Sequence, residues 1–485
     1  MKFQYLLGKG ISTDSNAEVI LTFACNCIQL VDICHRNQLP TSDACYLAVS
    51  ALIRLYEIET DLTYLFQAAY LLESGPALED AHPARVMLVY IETELGLHSM
   101  AMRQYDTLRV REIQQETMTH LLLTRISLNH PFPLEQKRES KIDPHKIIDN
   151  ALDMFIKTDH KLSDSQSSLM EDGKCDLVFE LNDLRETLAH SITRRMLILE
   201  QCRIARLTDR SEHPRILDIR PRVLENWTQQ LKDSRDYAET FHFDGADRAT
   251  PERRLQSGGK IPNSTWIATA ILAEDVWSLL QGRPTICTTP TAPPMDSQLR
   301  DSDSELTPTE LALCAVWRAL HSATQSLLSV QKDEAGLKPA LESLSSSLSS
   351  LPSLPSAPPT GLPPSAAILQ PYFLHLDVLR TANLFTTTAT LINSKKRAGQ
   401  LAPAPLVKQI RAQVEKQYDG LRSKAQEGLK SVDARDMVQM LRKHATGEVM
   451  AESESLDRGV RKFAERAEEA AREAWEGVLR VKLGK

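Results

Sequence analysis

Five residues near the N-terminus are of the types that a metal or thiol site would use: Cys25, Cys27, Cys34, His35 and Cys45. Zinc sites present cysteines in pairs two to four residues apart on a turn, with a second pair at a distance. Here the run AEVILTFACNCIQLVDICHR (17–36) reads as a helix. On a helix Cys25 and Cys27 lie about 200° apart, so one ion cannot take both without unwinding it. A thiol nucleophile needs a nearby base and an electropositive pocket. Cys34 and His35 do not supply this, because adjacent helical side chains do not face each other. The cluster reads as small buried hydrophobes, with a thiol or zinc hydrolase as the enzyme-class alternative. His82, His98, His120 and His130 fall at helix ends and on helix faces without metal spacing, and read as structural.

Nucleotide and acyl chemistry lack their motifs as well. There is no Walker-type phosphate loop and no G-x-G-x-x-G after a strand. Gly258-Gly259 before Lys260 runs into Ile261-Pro262 rather than into a helix start. The acyl-CoA loop Q/R-x-x-G-x-G/A is absent, as are the strands that would carry it. The sequence therefore nominates no catalytic, cofactor-binding or metal-binding residue and predicts a chain that is not an enzyme by itself.

What the sequence is rich in is helix. Aromatic residues make up only 5% of the 485, β-branched alternation is scarce, and hydrophobic residues at 42% are ample for a core. The expected class is all-α. A net charge of −7 argues against a chain built to coat nucleic acid. Eight cysteines fit reduced thiols better than a disulfide framework. MKFQYLLGKGISTDSN (1–16) lacks the apolar core and cleavage site of a signal peptide. No segment reaches the roughly 18 uninterrupted apolar residues of a membrane span. These readings predict a cytoplasmic protein with neither a membrane nor a specific nucleic acid as partner.

Residues 1–132 read as a helical-repeat array. The central pair comes from Ala84 to His130: Val86, Leu88, Val89, Ile91 and Leu95 share a face, Gly96 stops the helix, and Ser99 caps a second one bearing Met100, Ala101, Tyr105 and Leu108. Leu88, Tyr90, Leu95-Gly96, Ala101 and Tyr105 follow a tetratricopeptide-like order. One such pair has too little core to stand alone, so neighbouring pairs must stack on it as a solenoid. Three hairpins fit before His130-Pro131-Phe132-Pro133 interrupts.

Beyond them, 133–176 reads as a polar, partly mobile connection, with KTDHKLSDSQSSLMEDGKCD as its loop. Residues 177–287 read as further hairpins, opening with one long helix from Leu177 to Leu207. Residues 288–365 read as disordered Pro/Ser-rich insertions bracketing a helix at 308–331, whose Thr307-Pro308-Thr309-Glu310 is a capping box with Pro at its first helical position. Residues 366–485 read as a C-terminal helical region; from 395 onward it holds 20 Lys/Arg against 14 Asp/Glu, an excess of +6. That basic end reads first as a solvated face, and second as a contact for the ribosome, RNA or a partner.

The run LGLHSMAMRQYDTLRVREIQQETMTHLLLTRISLNHPF (95–132) resembles the auxiliary, non-catalytic subunit of the N-terminal acetyltransferase B (NatB) complex. Leu95-Gly96, Tyr105-Asp106, Ile113-Gln114 with Glu116-Thr117, and Arg125-Ile126-Ser127 through His130-Pro131 carry the resemblance. Asp233-Ser234-Arg235-Asp236 is a weaker landmark. Such subunits are usually longer, so the chain reads as a C-terminal half. The resemblance implies an α-solenoid that wraps and stabilises a catalytic N-acetyltransferase subunit and helps place it at the ribosome. It further implies that the complex acetylates chains beginning Met-Asp, Met-Glu, Met-Asn or Met-Gln. Acetyl-CoA and the catalytic groups would belong to that partner. A generic helical-repeat scaffold with an unrelated partner is the alternative.

Overall fold

A computed structural model of the protein describes residues 17–74, 82–134, 142–210, 223–224, 231–238, 250–283, 305–329, 334–356, 361–395 and 403–484. The first hairpins follow the apolar spacing of the sequence. α1 (Ala17–Arg36) packs on α2 (Ser42–Glu59), and α2 on α3 (Leu62–Ser74). α4 (His82–Glu94) pairs with α5 (His98–Leu108). α5 begins one residue before Ser99, whose side chain does not cap it. Gly96 sits between the two at φ +74°, a left-handed conformation that favours glycine, and a Cβ there would collide with the carbonyl of Pro364. Alone among the described helices, α1 is long and apolar enough by composition to cross a membrane. In the fold it buries Ile20, Ala24, Cys27, Ile28 and Val31, and leaves Val19 and Ile33 exposed.

Three short helices follow, α6 (Gln114–Met118), α7 (His120–Leu123) and α8 (Ile126–Asn129). The expected mobile connection over 133–176 is instead largely a helix, α9 (Pro144–Glu171). Asp143 caps it by accepting from the His145 N–H, Pro144 occupies the first turn, and Ile148, Leu152, Phe155 and Leu162 are buried. Its polar end is held by a second helix: α10 (Cys175–Ala189) lies against it, with Arg185 on Asp159. The single helix expected from Leu177 to Leu207 is in fact two, α10 and α11 (Ile192–Thr208). The break comes at His190-Ser191, where the backbone turns aside to pair with Lys232 and the Ser191 hydroxyl caps α11.

Within the hairpins expected over 177–287, Val223 and Leu224 are helical, and Trp227 lies outside the described residues. Next come α12 (Pro251–Leu255), a 3-10 turn over Gln256–Gly259, α13 (Ser264–Leu280) and α14 (Pro308–Leu328). The capping box at Thr307 and Glu310 forms in both directions. Residues 288–304 of the expected insertions lie outside the described residues. After α14, residues 330–333 and 357–360 likewise lie outside the described residues, but the serines up to 349 are helical: α15 (Glu334–Ser349) buries Leu337, Leu341, Leu344 and Leu348. These leucines fall three and four apart and form a stripe. The serines between them meet a matching polar face, with Ser345 and Ser349 bonded to Gln413 and the Leu348 carbonyl to Gln417.

Those glutamines belong to α17 (Ala404–Ser431), which follows the central α16 (Ala366–Lys395). The chain closes with α18 (Ala434–Leu441), α19 (His444–Glu452), α20 (Glu454–Asp457) and α21 (Val460–Arg480). These last helices return to the start of the array. α18 lies on α3, α21 on α5, and α19 on α1. Phe463 packs tilted against Phe66 and edge-on to Tyr70, at 5.1 and 5.4 Å between centroids. Gln67 donates to the carbonyls of Leu441 and Lys443 and accepts from Thr446. One apolar cluster accordingly runs from Ile20 to Val481.

Candidate functional site

Residues drawn from 113–131 and 233–236, Glu116, Arg125, Ser127 and Arg235 among them, form two polar joints. At the first, Arg125 takes a left-handed backbone (φ 57°), which points a fully buried guanidinium into the array. It grips Glu310 with two bonds of 2.9 Å and donates to the carbonyls of Lys260 (2.7 Å) and Glu305 (3.0 Å). Burial alone would raise the Glu310 carboxyl, but Arg125 outweighs it and holds the group below its ordinary value. The Trp266 indole also donates to Glu310, so the glutamate of the capping box ties α13 and α14 to the turn before α8.

Beside it, α11 carries Glu200, Arg203 and Arg206, spaced to share a face. Glu200 accepts from the Ser127 N–H at 2.8 Å and pairs with Arg203 at 3.1 Å. Arg206 lies between Asp377 of α16, at 2.9 Å, and Glu274 of α13. Its burial works to release the proton, yet the two carboxylates keep the guanidinium more firmly charged than usual. Each of these side chains is at most 7% exposed, so the charges are shielded from water and depend on one another.

The second joint uses Glu116 and the 233–236 segment. The Ser191 hydroxyl donates to Glu116 at 2.7 Å, and burial pushes the Glu116 carboxyl up to about 7. Asp233 and Arg235 pair in two bonds, Arg235 reaches the Pro262 carbonyl, and the Asp236 N–H donates to the Thr117 carbonyl. His120 bonds to the Tyr90 hydroxyl at 3.0 Å and packs on the Tyr237 ring.

The other nominated residues are dispersed. Cys27 and Cys45 are buried, and burial raises both thiols to about 12, which leaves them poor nucleophiles. Cys25 and Cys34 are half-buried and His35 is exposed. Burial lowers His98 and His120 to about 3 and His130 to about 4, so all three are neutral near pH 7. No group of three or more His, Cys, Asp or Glu suited to a metal occurs among the described residues. Of the residues carrying the resemblance, Tyr105 and Glu116 point inward, whereas Asp106 and Ile113 are exposed.

Sequence reasoning did not find Glu200, Arg203, Arg206, Glu274 or Asp377. The available signal was three charges at intervals of three inside the apolar α11, which marks an inward-facing charged stripe. Joined in this way, the residues can hold helices at fixed angles; the Ser191 hydroxyl, set against the Glu116 carboxylate, is fully buried and also caps α11.

Known proteins match this chain over part of its length. Residues 1–243 match the family described as the N-acetyltransferase B complex (NatB) non catalytic subunit. The chain is 27% identical over 244 residues to the N-terminal acetyltransferase B complex subunit arm1 of Schizosaccharomyces pombe, covering 48% of this chain and 28% of that one. Its fold is similar to a chain in the NatB acetyltransferase complex bound to CoA and MES (TM-score 0.52, 10% identity, 86% of this chain and 50% of that). It is likewise similar to a chain in the same complex bound to a bisubstrate inhibitor (TM-score 0.53, 11% identity, 87% and 53%). The chain thus spans less than a third of the sequence relative and about half of each structural one.

Proposed function

This chain belongs to the family of non-catalytic subunits of the N-acetyltransferase B complex, and on that premise we propose that it is a helical scaffold that binds and stabilises a catalytic acetyltransferase subunit. One observation carries the reading. The residues that relate the chain to the family, Glu116, Arg125, Ser127, Asp233 and Arg235, form the internal joints of a helical framework. Joints of this kind fix a shape, and a fixed shape is what a partner-holding surface requires.

In this reading the partner binds acetyl-CoA and supplies the chemistry. The assembled complex acetylates the N-termini of nascent chains beginning Met-Asp, Met-Glu, Met-Asn or Met-Gln in the cytoplasm. Exposed lysines of the C-terminal region, Lys408 and Lys416 on α17 among them, are the proposed ribosome-facing charges.

The test is affinity capture with the tagged chain from a cytosolic extract, followed by acetyl transfer to Met-Asp and Met-Ala peptides. Copurified activity on Met-Asp that Met-Ala does not share supports the proposal. Capture without any acetyltransferase overturns it and leaves a helical scaffold for an unrelated partner.

A further inference from the structure

The outer side of α21 and the segment 130–134 enclose a groove of about 410 Å³ that is separate from both joints. Its lining is acidic: Glu465, Glu468, Glu469, Glu473 and Glu476 all face it. Arg472 is paired with Glu468 at 2.9 Å and Arg480 with Glu476 at 3.5 Å. Among the described residues Glu465 and Glu469 have no ion pair, and of the Glu473 carboxylate, beside the Ser99 hydroxyl, one oxygen is buried without a hydrogen-bond partner. From Glu465 to Glu476 the helix carries this charge over roughly 16 Å.

A second observation points to a ligand. His130 lines the groove, is only 4% exposed, and its Nε2 has no hydrogen-bond partner among the described residues. An unprotonated imidazole nitrogen accepts a hydrogen bond from a cation without repelling it. Pro133 and Leu134 add an apolar wall suited to the methylene stem of a lysine or arginine. We propose that this groove binds an extended peptide segment carrying Lys or Arg side chains, one cation reaching Glu473 and His130 and the next lying along Glu465 and Glu469. The acceptors lie at two depths, half-buried Glu473 with buried His130 below the exposed Glu465 and Glu469. Side chains branching from one backbone can reach both levels, whereas a linear polyamine would have to bend between them.

The test uses the full chain and a fluorescein-labelled heptapeptide, Gly-Lys-Gly-Arg-Gly-Lys-Gly, followed by anisotropy. Saturable binding that weakens with salt is expected, and a Glu465→Gln/Glu469→Gln double variant should weaken it roughly tenfold or more. Both substitutions lie on exposed positions, so helicity measured by circular dichroism should be unchanged. His130→Gln should also weaken binding, while Glu415→Gln, on the exposed face of α17, should leave it unaltered. Absence of saturable binding, equal binding by the double variant, or tighter binding of spermine than of the peptide would each overturn the proposal.

Discussion

Two places hold distant parts of this chain together, and they do so by opposite means. The inner joint around Arg125, Arg203 and Arg206 uses full charges from which water is excluded. The seam between α3 and the C-terminal helices uses aromatic rings and a buried amide, and keeps its charges at the rim: Asp61 bonds Lys443 at 2.7 Å and His444 at 3.0 Å, where Lys443 is 53% exposed. A buried charge stabilises little by being present and costs much when its partner leaves, while a rim charge matters little either way. The joint should therefore tolerate no single substitution, and the seam should lose stability in proportion to the apolar and amide contacts removed.

The largest effect should come from Arg206→Ala, which takes the shared guanidinium from between Asp377 and Glu274 and leaves Asp377 the more distant Arg203 at 3.6 Å. A loss of roughly 3–5 kcal/mol is expected, read as a shift of the denaturation midpoint. A loss below about 1 kcal/mol, the range of exposed pairs, would mean that water reaches the joint and that the contrast with the seam is false.

Within the interior, Glu116 has a hydroxyl partner rather than a cation, and its pH behaviour should reveal this. Its folded carboxyl is raised from 4.5 to about 7, so between those values the folded chain holds a proton that the unfolded chain has released. Its contribution is fully present below pH 4.5 and is lost as pH rises toward 7, at about 1.4 kcal/mol per unit. Glu116→Gln removes this loss. The variant should match the parent near pH 4.5 and exceed it by about 3 kcal/mol at pH 8, measured by urea denaturation across that range.

The joint and the seam were also unequally legible in the sequence. Apolar periodicity marked the hairpins, and the capping-box residues marked the start of α14 at Thr307–Glu310, because those features are local. Arg125, Glu116 and Arg235 were visible as landmarks of a family, but their inward direction was not. It depends on the left-handed turn at Arg125 and on partners such as Glu310, far along the chain. Two readings went astray for a shared reason. Polar composition at 157–176 and Pro/Ser content at 343–365 suggested disorder, yet 157–171 is the polar end of α9, packed on α10, and 343–349 is the end of α15, whose leucines are buried. The leucines at 337, 341, 344 and 348 held that information, and the serines between them obscured it.

At the seam, Gln67→Leu keeps the volume and leaves the Lys443 carbonyl and the Thr446 hydroxyl without their partner. Buried groups left unmet cost roughly 1–3 kcal/mol, so about 2 kcal/mol is expected, with amide exchange rising first in α18 and α19. Equal exchange across all helices would show that the C-terminal helices do not open at this seam.

The smallest effect is expected for Lys443→Ala, and it isolates the difference between the two places. The Asp61 carboxyl is held below its usual range: burial works against ionisation, but Lys443, Thr63 and His444 outweigh it. Removing the lysine leaves Thr63 and His444 in place, and the His444 ring remains stacked on Tyr64 at 4.7 Å. The ammonium also returns to no buried acceptor, because its side chain already stands half in water. The cost should be within about 0–1 kcal/mol and should shrink further in 0.5 M salt, a concentration at which the screening length is roughly 4 Å. Arg206→Ala, whose partners are at most 2% exposed, should show no such dependence on salt, so the ratio of the two salt responses measures how dry the inner joint is.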